Sequence, residues 1–188
     1  MHVDRVLCPV ETLGPGRRMA IWTAGCPRRC PGCANPELWE AQPFQSVDAG
    51  RFAASVLDVA RSQGAHRLTL TGGEPLMHPE ELLGFLGLVR PAFDDVLVFT
   101  GYEADEIEGL FSAEGRARFR KCVDVAVAGP YVQELNDGES ALLGSTNQRI
   151  VFYDEAMRGE YLPYLEKPRS LQNFMADGRI ISVGIHNR

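Results

Sequence analysis

An α/β fold is predicted for this chain of 188 residues: an incomplete parallel (β/α) barrel of about five to six units, followed by a C-terminal β-hairpin. Short apolar runs of strand type alternate with stretches of helical period, which argues for a parallel sheet joined by right-handed crossovers. The units are too few to close an eight-stranded barrel. Near the end, Ala176-Asp-Gly-Arg179 separates Phe174-Met175 from Ile180-Ile181, the pattern of a hairpin turn between two apolar segments.

The first strand is Met19–Thr23. Ser46 or Asp48 then caps a helix to about Gln63, with Phe52, Val56, Val59 and Ala60 on one face. Leu68–Thr71 is the next strand, and a helix over 79–89 follows, with Pro79 suited to its first turn and Pro91 halting it. Val96–Thr100 is apolar in the manner of a strand covered on both faces. A helix is expected over 104–119, then strands Val123–Val127 and Arg149–Tyr153. The whole chain, 1–188, is expected to form a single domain with room for a sizeable core.

Composition narrows the function classes. A net charge of −6 without long basic runs offers no footprint for nucleic acid. No stretch is long and apolar enough for a membrane span, and no secretory signal is visible, so the cytoplasm is the expected compartment.

Cys26, Cys30 and Cys33 stand in Cys-Pro-Arg-Arg-Cys-Pro-Gly-Cys. Three thiolates on a 4Fe–4S cluster leave one iron without a protein ligand, where a small molecule can bind and receive an electron. The other reading is a structural zinc site, whose usual second pair of ligands is missing here. Arg28 and Arg29, beside the thiols, are expected to raise the potential or to face an acidic electron donor. Cys8 and Cys122 lie in apolar surroundings and read as small buried hydrophobes. The Leu68–Thr71 strand runs into Gly72-Gly73-Glu74-Pro75. Two glycines at a strand end let a ligand lie against bare backbone, and Glu74 offers an acceptor to an ammonium group. The loops after the strands, including Gly72–Pro75, Thr100–Tyr102 and Gly129–Tyr131, would converge on one rim, where such sheets bind ligands.

The cysteine triplet followed by Gly-Gly-Glu-Pro resembles the radical S-adenosylmethionine (SAM) superfamily. Leu13-Gly-Pro-Gly-Arg17, Phe99-Thr-Gly-Tyr102, Ala128-Gly-Pro-Tyr131 and Gly144-Ser-Thr-Asn-Gln-Arg149 look like the anaerobic ribonucleotide reductase activating proteins, small activases that install a glycyl radical in a partner enzyme. The resemblance implies one 4Fe–4S cluster on Cys26, Cys30 and Cys33, with SAM as the second cofactor. It implies SAM contacts from Gly72, Gly73, Glu74, Pro75, Thr100, Gly101 and Asn147, with Tyr102 reading equally as a surface for adenine or as rim packing. No side chain is assigned as a catalytic acid, base or nucleophile. The implied partners are a glycyl-radical enzyme and a one-electron reductant such as a flavodoxin. Ala128 departs from the pattern, since the activases usually carry Asp there. That departure keeps a second activity open, a radical SAM enzyme acting on a ribosomal peptide or small metabolite.

Overall fold

In the computed structural model, which describes residues 1–176 and 178–186, the expected parallel run is the middle of a wider mixed sheet. The six strands lie in sequence order: β1 (Val3–Val10), β2 (Arg18–Thr23), β3 (Arg67–Gly72), β4 (Asp95–Thr100), β5 (Val125–Ala128) and β6 (Arg149–Phe152). Neighbours from β2 to β5 pair in parallel, whereas β1 and β6 close the two edges antiparallel. An all-parallel sheet is therefore corrected to a parallel centre with antiparallel borders. No crossover helix follows β1 or precedes β6, so the chain reverses direction there through loops.

The central strands are apolar because both faces are covered. On one face, Met19, Ile21, Leu68, Leu70, Val96 and Val98 join a core with helix α1 (Ala49–Gln63), α2 (Pro79–Val89) and α4 (Ala113–Cys122). Phe52 of α1 stacks on Phe85 of α2 at 5.3 Å between ring centroids. Asp48 caps α1, its side chain accepting from the Arg51 N–H. The helix expected over 104–119 is divided into α3 (Ala104–Gly109) and α4, because Ser112 accepts from the Gly115 N–H and starts a new helix.

The opposite face is covered by helix α5 (Arg158–Leu165), by the loop before β2, and by strands β7 (Gln172–Ala176) and β8 (Arg179–Val183). The last two form the expected antiparallel hairpin, although Asp177 of its turn lies outside the described residues.

Strand starts are tied together below this face. Arg18 is fully buried and pairs with Asp95 at 2.5 Å, while its Nε donates to Thr69 and its Nη2 to the Leu68 carbonyl. Tyr161 of α5 donates to the same carboxylate at 2.8 Å. This network links the amino ends of β2, β3 and β4, at the far edge from the loops discussed next. Asp95→Ala leaves a buried guanidinium without its counter-charge, and urea unfolding of the apoprotein should register a loss of about 3–5 kcal/mol. Combining Arg18→Met with Asp95→Leu should cost less than the sum of the single changes, because neither charge is then left alone.

Candidate active site

Strands β2, β3, β4 and β5 end side by side at Thr23, Gly72, Thr100 and Ala128. The loops that follow enclose a cavity of about 210 Å³. Cys26, Cys30 and Cys33 line it from the first loop, Gly72, Gly73 and Glu74 from the second, Thr100 and Gly101 from the third, and Gly129 and Tyr131 from the fourth.

The cysteine loop is closed at its base by main-chain bonds. Gly25 N donates to the Leu38 carbonyl at 2.8 Å and Cys26 N to that of Trp39 at 2.9 Å. Within the loop, Cys33 N reaches back to the Cys30 carbonyl at 3.1 Å, and Asn35 N donates to the Cys33 sulfur. Burial pushes the Cys30 thiol above its usual range, a backbone hydrogen bond from Tyr131 opposes this, and the charges of Cys26 and Cys33 push it further. Three thiolates so placed repel one another, and a cationic iron–sulfur group is what removes that repulsion. Among the described residues no three His, Cys, Asp or Glu side chains converge as ligands of one metal ion would. A 4Fe–4S cube takes each thiolate on a different iron and does not require such convergence. The residues fit the group.

Gly72 and Gly73 have a role that the sequence does not reveal. A Cβ at Gly72, where φ is +104°, would stand 2.6 Å from the Thr23 carbonyl oxygen, and one at Gly73 would stand 2.5 Å from that of Gly25. Their bareness admits the protein's own backbone. Gly73 N donates to Thr23 O and Glu74 N to Gly25 O, both at 2.8 Å, so the end of β3 is zipped onto the start of the cysteine loop.

Glu74 lines the cavity, yet only 2% of it is exposed. Its carboxylate accepts from Leu76 N at 2.9 Å, from the Thr100 hydroxyl at 2.8 Å and from Gly101 N at 2.8 Å. The acceptor foreseen for a ligand's ammonium group is thus already engaged in joining the ends of β3 and β4. Desolvation raises its pKa, against the pull of these three donors and of Arg28. Glu74→Gln turns one acceptor into a donor facing a donor. Denaturant unfolding of the apoprotein should show a loss of about 1–3 kcal/mol from the group left unpaired.

Three expected contact residues, Pro75, Tyr102 and Asn147, are not among those lining the cavity. Pro75 is buried at the start of a 3₁₀ turn, Pro75–Met77. Asn147 donates to the Pro130 carbonyl at 2.8 Å and braces the loop after β5. Tyr102 lies under the Arg28 guanidinium, 4.3 Å from the ring centroid. Arg28 also pairs with Glu106 at 2.5 Å, and Arg29 pairs with Glu40. Both arginines beside the thiols are thus paired with carboxylates of this chain. Arg28 fastens the cysteine loop to the segment after β4. Ala128, fully buried, brings no carboxylate to the rim.

The sequence reading missed part of the lining. Leu13, Phe99 and Leu142 contribute apolar surface, and residues 182–186 close one side from the C-terminal segment. Leu13 and Phe99 stand in motifs that do not assign them to the lining, and no local pattern marks Leu142 or 182–186, because their role follows from how distant segments fold together. Trp22 and Trp39 also line the cavity.

The family model described as a 4Fe-4S single cluster domain matches residues 12–151. The anaerobic ribonucleoside-triphosphate reductase-activating protein of Salmonella typhi is 33% identical over 152 residues, covering 76% of this chain and 93% of the relative. Its namesake from Enterobacteria phage T4 is 33% identical over 156 residues, covering 80% and 93%. The pyruvate formate-lyase-activating enzyme of Clostridium pasteurianum is 33% identical over 81 residues, covering 41% of this chain and 33% of the relative. A match across most of the chain, carried by the segment that holds the cysteine loop, strands β2 to β5 and most of β6, shows that this protein belongs to the 4Fe-4S single cluster domain family and is a radical SAM enzyme of its small activating branch.

Proposed function

We propose that the chain, as a single radical SAM domain built on an incomplete barrel, installs a glycyl radical in a partner such as an anaerobic ribonucleotide reductase. The observation that carries the reading is one cavity shared by three thiols of one loop and the main chain at the end of β3. Cys26, Cys30 and Cys33 would hold one 4Fe–4S cluster. SAM would lie along Gly72–Glu74, Thr100 and Gly101, with Pro75, Tyr102 and Asn147 holding the loops that carry those residues. When bound, the cluster supplies the electron, drawn from a flavodoxin-like or other reductant, for cleavage of SAM to methionine and a 5′-deoxyadenosyl radical.

The protein's own groups place and shield. Glu74 keeps the ends of β3 and β4 at fixed separation, so the backbone facing the cavity is ordered before any ligand arrives. Leu13, Trp22, Phe99 and Leu142 give that space apolar sides, which disfavour water near a reactive centre. No acid or base is needed from the chain, since hydrogen abstraction is decided by which donor atom is held within reach.

The test is anaerobic. The reconstituted protein, reductant and SAM are mixed with the anaerobic ribonucleoside-triphosphate reductase of the same host, deuterated at glycine Cα. A persistent glycyl EPR doublet and deuterium in 5′-deoxyadenosine are expected. Deuterium arriving only from a labelled peptide or small metabolite would overturn the activase reading in favour of the alternative that Ala128 keeps open.

A further inference from the structure

Residues 182–186, the end of β8 and the chain beyond it, wall the cavity that holds the three thiols, and they lie outside residues 12–151 of the family match. Their place is set by contacts with distant segments. Thr12 donates to the carbonyl of buried Val183 at 2.9 Å. Gly184, with φ at +145°, passes so close to Ser170 that a Cβ there would stand 2.3 Å from the Ser170 carbonyl oxygen.

Arg169 completes the attachment. It does not line the cavity, yet its guanidinium joins two segments that do. Nη1 donates to the His186 carbonyl at 3.1 Å and to Asn136 Oδ1 at 2.7 Å. Nε donates to the Ser140 carbonyl at 3.0 Å and Nη2 to that of Leu143 at 2.8 Å. Leu142 and Gly144, on either side of Leu143, line the cavity. Asn136 also donates to the Tyr131 hydroxyl at 3.1 Å, and Tyr131 is a lining residue as well. Acceptors spread around one plane suit the rigid fork of a guanidinium, which a lysine ammonium does not reproduce. Bonds from that fork to main-chain carbonyls fix the distance between two backbones.

We propose that Arg169 is a positioning residue for SAM, holding the 182–186 wall at a fixed distance from 140–144 so that the cavity is shaped before the ligand enters. The inference rests on the function proposed above. A cavity of about 210 Å³ is small for a ligand with both an amino-acid and a nucleoside end. The end that lies away from the thiols and β3 therefore meets the wall that Arg169 holds. A wall already in place needs little further ordering on binding, whereas a released wall has to be ordered by the ligand.

The test uses SAM as the probe and no partner. Arg169→Met removes the guanidinium and keeps an apolar stem, and Gly184→Val drives the wall off Ser170 by a separate contact. Each variant should take up the parent amount of iron. The SAM concentration that half-saturates the change in the EPR signal should rise about tenfold. In dithionite-driven cleavage the loss should fall on KM rather than on kcat. Amide exchange of the apoprotein at 184–186 should quicken in both variants. The double variant should bind no more weakly than the weaker single, because both changes release one wall. Parent-like exchange, a parent-like or lower half-saturation, or multiplied effects in the double variant overturn the proposal. Iron lost in step with the SAM response also overturns it, by making Arg169 a residue of the fold alone. A parent protein whose EPR signal ignores SAM overturns the proposed function along with this inference. A parent that responds, with variants that respond alike, overturns this inference only.

Discussion

Replacing any one of Cys26, Cys30 or Cys33 by Ala is expected to abolish the iron–sulfur cluster, taking anaerobic reconstitution from about four irons per chain to almost none. Two thiolates leave a second iron without a protein ligand, and all three thiols of the parent line one cavity. Cys8→Ala and Cys122→Ala should retain full iron. Both side chains pack against the core under α1, α2 and α4, both thiols are pushed up by burial, and neither lines the cavity. Iron and sulfide analysis, with EPR of the reduced protein, separates the two groups. Equal loss on changing Cys8, or stoichiometric zinc in place of iron, would sink the assignment.

Gly73→Val should remove the cluster and SAM binding together. A ligand lying against a bare glycine would be displaced alone, but the Cβ at this position points into the Gly25 carbonyl at 2.5 Å, with Gly25 C at 3.0 Å. Both neighbours are backbone and cannot rotate away, so the end of β3 and the cysteine loop have to separate. The Glu74 N to Gly25 O bond breaks with them. Iron content after reconstitution and the SAM-induced change in the EPR signal are the two readouts. Full iron with loss of the SAM response alone would show that the close contact relaxes and that Gly73 serves the ligand only.

β2, β3 and β4 were legible because each is a short apolar run ending in glycine or threonine at the rim. Arg18–Thr23, Arg67–Gly72 and Asp95–Thr100 lie within a residue of the predicted spans. The start of β5 moved to Val125, since Asp124 uses its carboxylate on Val96 N and its carbonyl on Tyr153 N before the strand begins. β1 and α5 were not foreseen. β1 is mostly half-buried with weak alternation, and α5 carries Pro163 and mixed polarity, so neither has a clear period. At the site, the cysteine triplet and Gly72–Glu74 were visible as motifs, whereas the roles of Arg28, of Glu74 and of the 182–186 wall depend on contacts between distant segments. A spacing pattern names residues that chemistry requires. It is silent on which of them the protein uses to hold itself together.

The main-chain closure at the base of the cysteine loop has a consequence for life in air. Gly25 and Cys26 are bonded to Leu38 and Trp39, and Gly25 to Glu74, through amides that involve no sulfur. The entropy lost in forming this ring is met by the folding of the polypeptide and does not depend on iron. Oxygen that destroys the metal centre therefore strips a prosthetic group from an intact frame. Iron, sulfide and reductant are then expected to restore the centre without new synthesis of the chain.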